Sequence, residues 1–370
     1  MVTLVFAGVV LVRLLLPLLI PRFPLPAIVA CLVVDGIDQT IFQSFGYDPP
    51  GYQGYDKAMD VYYLAIAYLA TLRNWTNTAA FEVGRLLYFY RLVGVVAFEL
   101  SQTRLLLLVF PNTFEYFFIV YEGVRSRWNP LRFTLAWWIG AAALIWVFVK
   151  LPQEYWIHVA QLDVTDALAE HPWAWAGLGL AAVVLALVLQ YVVRPRLMPA
   201  DWSFRIDTDP LPEAMDSAAE QAAWRASTRV LSWITLEKVV LVGLLSVLFA
   251  QILPGVTSSE VQLFIGTTVL VLANAAIVLV AARRSVSTES LAVAFLFRLA
   301  VNWGLVLLAE WFLGTRPGDL DVANAFFFLA LLSLLTTLHD HFQPVHAYRT
   351  RHPEPPPADP GPARPPAATT

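Results

Sequence analysis

Several acidic and basic side chains stand inside stretches of this sequence that are otherwise apolar. One such stretch, residues 24–43, carries Asp35 and Asp38, and the stretch 78–100 carries Arg91. An ionisable side chain at the centre of a bilayer costs at least about 2.5–3.5 kcal/mol, so it needs a partner or a wet cavity. Charges placed in this way therefore indicate either a binding site or structural ion pairs.

The depths of these charges follow from the helical rise of 1.5 Å per residue. Measured from the outer face, Asp38 lies about 8 Å deep, Asp35 about 12 Å, Arg91 about 14 Å, and Arg13 with Glu115 about 18 Å, while Asp60 and Glu99 lie at the rim. Acids outnumber bases in the outer half of this set, whereas a purely structural network should balance. We therefore predict an outward-opening, carboxylate-rich cavity among the first five spans. Its predicted substrate- or ion-binding residues are Asp35, Asp38, Asp60, Arg91, Glu99 and Glu115.

The alternative is that the charges only hold the helices together. In that case Arg91 pairs with Asp35 or Glu115, and Glu82 pairs with Arg85. In the second half, Glu237 and Arg298 lie at similar depths and are predicted to form a structural pair.

Two further motifs each have a functional and a purely structural interpretation. Pro111-Asn112 interrupts the fifth span, where proline removes a backbone donor, so the break either faces a site or is an ordinary kink. His339-Asp340-His341 looks like a metal cluster, but neighbours two apart on a helix point to different faces. We interpret it as an interfacial anchor and predict no metal centre.

These residues must be positioned by membrane-spanning helices. Of 370 residues, 58% are hydrophobic and 14% charged, and the mean hydropathy is +0.62. The predicted fold is an all-α, polytopic transmembrane bundle of about 11 spans. Its spans are expected at roughly 2–20, 24–43, 58–72, 78–100, 104–122, 131–150, 173–193, 230–253, 259–282, 288–313 and 320–341.

The transmembrane domain is expected to cover residues 1–345 and to include an outer surface helix at about 152–168 and a cytoplasmic loop at about 194–229. A disordered, proline-rich cytoplasmic tail is expected at 346–370. Arginine is concentrated in the gaps around Arg127, Arg196 and Arg283. These loops should face the cytoplasm, so the N-terminus lies outside and the C-terminus inside.

The partners that composition favours are lipids. The chain has no basic face that would neutralise a phosphate backbone, which disfavours nucleic-acid binding. Arginine outnumbers lysine 21 to 3, and alanine and proline are abundant, which suggests a GC-rich bacterial genome and a bacterial plasma membrane. Its one cysteine, Cys31, excludes an intrachain disulfide. No cofactor is indicated.

Three functions fit these features. The first is a cation- or proton-coupled transporter or flippase of a small or lipid-linked substrate, with the carboxylates as the ion site. The second is a cell-envelope transferase with a lipid-linked donor. Asp35, Asp38 and Asp60, with Asp56, loosely resemble the aspartates of multi-span transferases that take sugars from lipid carriers, which implies a base or metal-ligand role. Asp35-x-x-Asp38 also resembles half of a prenyltransferase motif, but no second half follows. The third is a non-catalytic membrane assembly factor.

Overall fold

The structure is a computed structural model that describes residues 2–46, 52–160, 171, 173–253, 259–284, 290–313 and 322–355. Throughout these ranges the secondary structure is helical, without strands. The first half contains α1 (Val2–Leu15), α2 (Pro24–Ser44), α3 (Tyr52–Asn74), α4 (Thr78–Ser101), α5 (Leu105–Val109), α6 (Thr113–Arg125) and α7 (Leu135–Ile145). The second contains α8 (Trp173–Val188), α9 (Ala218–Ala226), α10 (Trp233–Ile252), α11 (Glu260–Arg283), α12 (Leu291–Leu313) and α13 (Val322–Arg351).

Within the described ranges, eight helical stretches are long and apolar enough to cross a membrane. They are Pro24–Ser44, Leu105–Arg125, Leu135–Ile157, Trp173–Arg196, Trp233–Ile252, Glu260–Arg283, Leu291–Leu308 and Val322–Arg351. A shorter apolar helix covers Leu4–Leu19. The chain is therefore an all-helical protein of multi-pass membrane character.

The bundle is built around α3, whose side chains are buried for most of its length. Aromatic side chains of α3, and of Trp75 directly after it, stack on the neighbouring helices. Tyr68 lies parallel to Tyr88 of α4 at 4.8 Å between ring centroids, and Trp75 stacks on Tyr121 of α6 at 3.9 Å. Such pairs add roughly 0.5–1.5 kcal/mol beyond their buried area, so α3 is held firmly on both sides.

Side-chain caps fix where several helices begin. The Asn77 side chain accepts a bond from the Ala80 amide at 2.9 Å, and Ser259 and Gln262 form a reciprocal capping box on α11. Each cap satisfies backbone donors that have no partner inside the helix.

Helix α7 runs past the point where a separate surface helix was expected. It continues through Trp146–Lys150, Leu151–Glu154 and Tyr155–Val159, so residues 152–159 belong to the same helix as residue 135. π-type turns flank Pro152 and absorb the loss of its backbone donor. Residues 161–168 of the expected surface helix lie outside the described part of the chain.

The last described helix and the loop 194–229 are also tied to the bundle. Helix α13 extends to Arg351, and the buried Arg349 donates to the carbonyl of Arg73. The expected start of the tail at 346 was therefore too early, and residues 356–370 are not among those described. In the loop, Trp202 donates to the Arg125 carbonyl at 3.0 Å.

Candidate functional site

Four aspartates from two helices surround the guanidinium of Arg13. Helix α2 contributes Asp35 and Asp38, three residues apart, and α3 contributes Asp56 and Asp60, four residues apart, so each pair lies on one face of its helix. Arg13 donates to Asp35 and Asp38, and to Asp56 and Asp60 at 3.2 Å each. We call these five residues the aspartate cluster.

The aspartate cluster is buried but not sealed from its surroundings. The side chains of Arg13 and Asp38 are 4% and 0% exposed, whereas those of Asp35 and Asp56 are 22% and 19% exposed. Two of its carboxylates are thus accessible while the centre is dry.

Lysine adds a second cation beside the cluster. Lys57 Nζ lies 3.0 Å from Asp56 and 3.9 Å from Asp60. Four carboxylates against Arg13 and Lys57 leave an excess of two negative charges when all are ionised. One carboxylate oxygen from each of Asp35, Asp56 and Asp60 lies within 4.8 Å of the other two. Oxygen donors at this spacing are suited to a hard cation.

A second buried network lies one turn further along α3. Tyr63 donates to Glu115, Asn112 Nδ2 donates to the same carboxylate at 3.0 Å, and Lys150 Nζ lies 3.6 Å from it. Glu115 is 2% exposed. Its charge is therefore matched by Lys150 of the continued α7, which the sequence did not suggest.

Arg91 stabilises the break between α5 and α6 and does not pair with the predicted acids. Its Nη1 donates to the Phe110 carbonyl at 2.9 Å and lies 3.9 Å from Glu154, whose Oε1 accepts from the Asn112 amide at 3.1 Å. Arg91 and Glu154 thus satisfy backbone groups that the break between α5 and α6 leaves open. Among the described residues its ion-pair partner is Glu154, so the pairings predicted with Asp35 and Glu115 were wrong.

Glycine is needed where α4 passes this break. A β-carbon at Gly94 would lie 2.1 Å from the Cβ of Phe110, which is closer than real side chains approach. Phe110 Cβ is fixed to the backbone, so the contact has no room to relax. The close approach of the two segments places the Phe110 carbonyl within reach of Arg91.

The remaining predicted residues lie apart from the aspartate cluster. Glu99 is 8% exposed, near the start of α3, and Gln102 donates to its backbone carbonyl at 2.7 Å. Glu82 and Arg85 form an ion pair at 2.5 Å, with side chains about half exposed.

Asp340 is the centre of charge in the second half. It lies 2.6 Å from Lys238 and 2.7 Å from Arg298, so the predicted pair of Glu237 with Arg298 was wrong. Glu237 instead accepts from Tyr68 and lies 3.7 Å from the buried His339. His339 is 1% exposed, so it is not an interfacial anchor.

The binding residues predicted from the sequence did not include Arg13, Asp56 and Lys57. Arg13 was placed deeper than Asp35, and Asp56 with Lys57 fell before the predicted third span. The four-residue spacing of Asp56 and Asp60 was the available signal, because it puts both carboxylates on one helical face. Helix α3 begins at Tyr52 and so includes them.

Comparison of the chain with known protein families, with curated proteins and with solved structures found no match. The interpretation of the site therefore depends on its geometry and charge alone.

Proposed function

We propose that the protein is a cation- or proton-coupled transporter or flippase of a small or lipid-linked substrate, and that the aspartate cluster is its ion site. The observation that carries this proposal is that four aspartates surround Arg13 and that Lys57, beside two of them, is the second cation. Burying charge without a counter-charge is costly, so an excess of carboxylates favours occupation by a cation or by protons.

In a coupled transporter the ion site must be structurally connected to the substrate site. Asp60 and Tyr63 are one turn apart on α3, and Tyr63 bonds to Glu115 beside the helix break. Protonation or ion binding at Asp60 thus acts on the same helix that contacts the broken span. Discontinuous helices near the bilayer centre commonly form substrate sites in secondary transporters.

The same proposal includes a topology of eleven spans with the N-terminus outside and the C-terminus inside a bacterial plasma membrane. Beyond the eight apolar stretches, α1, α3 and α4 supply three further helices, of which α3 and α4 are more charged. Several of their charges, among them Asp60 and Arg91, are buried inside the bundle, as expected for spans that do not face lipid.

Accessibility labelling of single cysteines checks this topology. In a Cys31→Ala background, a cysteine at Ala358 is expected to resist a membrane-impermeant maleimide in intact cells and to react after permeabilisation. Labelling of that position in intact cells would place the C-terminus outside and reverse the assignment.

A metal-dependent transferase with a lipid-linked donor is the second candidate. The close approach of the Asp35, Asp56 and Asp60 carboxylates favours it, since a divalent cation held there is able to bind the phosphates of a donor. The non-catalytic assembly factor is favoured only if the aspartate cluster binds no ion.

Charge displacement in reconstituted proteoliposomes tests the transporter proposal without a known substrate. On a solid-supported membrane, a jump in Na⁺ concentration or in pH is expected to give a transient current from wild-type protein. Asp56→Asn should abolish this current because it removes one carboxylate of the site. Glu82→Gln is the matched control, because its half-exposed carboxylate pairs with Arg85 away from the cluster.

The outcomes separate the candidates. If wild-type protein gives no current with either jump, coupled transport is wrong. Binding of one Mn²⁺ per chain, detected by electron paramagnetic resonance and lost in Asp56→Asn, would then support the transferase.

A further inference from the structure

An apolar groove of about 670 Å³ runs between the end of α1, α3, α12 and α13. Its walls are formed by aliphatic and aromatic side chains, including Leu14, Phe295, Leu334 and Phe342. Leu15 and Leu18 line its edge and are 52% and 38% exposed, so the groove opens sideways along the bundle. Its volume falls in the range of ligand-binding clefts, roughly 300–1,000 Å³.

One end of the groove is positively charged. Arg22, just before α2, and Arg73, at the end of α3, both line it. Arg73 donates to Asn74 at 2.8 Å and to Thr208 at 2.9 Å, which holds its guanidinium in place. Arg349 adds a third cation near this end, because it donates to the backbone carbonyl of Arg73.

The placement of these charges follows the layers of a bilayer. The apolar walls lie along spanning helices, and the two arginines lie together where α2 begins and α3 ends, since Asn74 donates to the carbonyl of Pro21 next to Arg22. Leu291 and His341 line the same end from α12 and α13. The groove therefore has the polarity of one lipid leaflet, with hydrocarbon contacts toward the centre and cations at the headgroup level.

We propose that this groove binds an anionic phospholipid, with an acyl chain along the apolar walls and the headgroup phosphate between Arg22 and Arg73. Guanidinium groups bind phosphate oxygens in a bidentate manner, and basic pockets between spanning helices on the cytoplasmic side bind lipid headgroups. The site is separate from the aspartate cluster, and its occupancy does not depend on ion coupling.

Charge complementarity favours this occupant over two others. A second copy of the chain would bring Arg22 and Arg73 no acid from the matching face, because a symmetric contact repeats the same surface. A soluble phosphate compound would leave the apolar walls unused. Only a molecule with both an anionic head and a hydrocarbon chain matches both parts of the groove.

Native mass spectrometry of the purified full-length protein in detergent tests the proposal. The probes are dioleoyl phosphatidylglycerol, dioleoyl phosphatidylcholine and inorganic phosphate. Wild-type protein is expected to bind one phosphatidylglycerol roughly tenfold to thirtyfold more tightly than phosphatidylcholine, since each nearby arginine contributes about fivefold. The double variant Arg22→Gln/Arg73→Gln should lose this preference.

Two further variants make the result specific. Arg283→Gln/Arg284→Gln removes the same charge at the end of α11, away from the groove, and should keep the preference. Ala330→Trp narrows the groove and should weaken binding of both lipids with all cations in place. Equal binding of the two lipids by wild-type protein, loss of the preference in the Arg283/Arg284 control, or displacement by inorganic phosphate would overturn the proposal.

Discussion

Replacing Arg13 by glutamine is expected to lower the free energy of unfolding by about 3–5 kcal/mol, because it leaves four carboxylates without their shared cation. The Arg13 side chain is 4% exposed, so water does not replace the lost interaction. Chemical unfolding in detergent micelles measures the effect. Arg104→Gln is the matched control, since Arg104 is exposed and its charge has little to stabilise.

Removing part of the excess negative charge should restore stability. In Arg13→Gln/Asp38→Asn, the fully buried Asp38 is neutral, and at least 1 kcal/mol of the loss is expected to return, as for residues that share one network. A cost for Arg13→Gln no larger than that for Arg104→Gln would contradict a buried cluster in which Arg13 neutralises ionised carboxylates.

Replacing Arg91 by alanine is expected to cost a similar amount, about 3–5 kcal/mol, for a different reason. The change strands the Glu154 carboxylate, which is 5% exposed, and removes the donor that satisfies the Phe110 carbonyl. A double-mutant cycle identifies the partner. Arg91→Ala with Glu154→Gln should show a coupling free energy of about 1–3 kcal/mol.

The controls for this cycle are the two acids that share the depth of Arg91. Coupling of Arg91→Ala with Asp35→Asn should be near zero, and coupling with Glu115→Gln should be smaller than with Glu154→Gln. If the strongest coupling is with Asp35 or Glu115, the helix break is not arranged as described.

The helices themselves were predictable because the thickness of a bilayer fixes their length and composition. Each of the eleven expected spans overlaps a helical stretch of the structure, and in the part of the chain that the structure describes eight of these are apolar and long enough to count as candidates by themselves. The predicted helix boundaries were wrong where polar residues extend a helix. Asp56 and Lys57 lie inside α3 for this reason, and Arg349 lies inside α13.

Ion-pair partners were not predictable from depth. Helical rise gives the height of a residue in the bilayer, but not the direction in which it faces around the helix axis. Arg91 and Asp35 have nearly the same height, yet Arg91 faces the break at Phe110 while Asp35 faces Arg13. Only the packing of α1 against α2 and α3 shows that one arginine reaches both pairs of aspartates.

The prediction of a separate surface helix beginning at residue 152 was also wrong. Pro152 suggested the start of a separate surface helix, but α7 continues through it to Val159. Because it continues, Lys150 and Glu154 lie on one helix and reach Glu115 and Asn112 in the bundle. The contact of Glu154 would be lost if the chain turned at Pro152.

Infrared difference spectroscopy of the reconstituted protein tests the central claim most directly, namely that the aspartate cluster exchanges protons or cations. Buffer is alternated between low and high pH, or between the absence and presence of Na⁺, and the carbonyl band of protonated carboxylic acid is recorded. We predict that this band decreases when the pH is raised or Na⁺ is added, that the change is lost in Asp56→Asn, and that it is retained in Glu82→Gln. An unchanged carboxyl band in wild-type protein under both exchanges would contradict the account and leave the aspartates a structural role only.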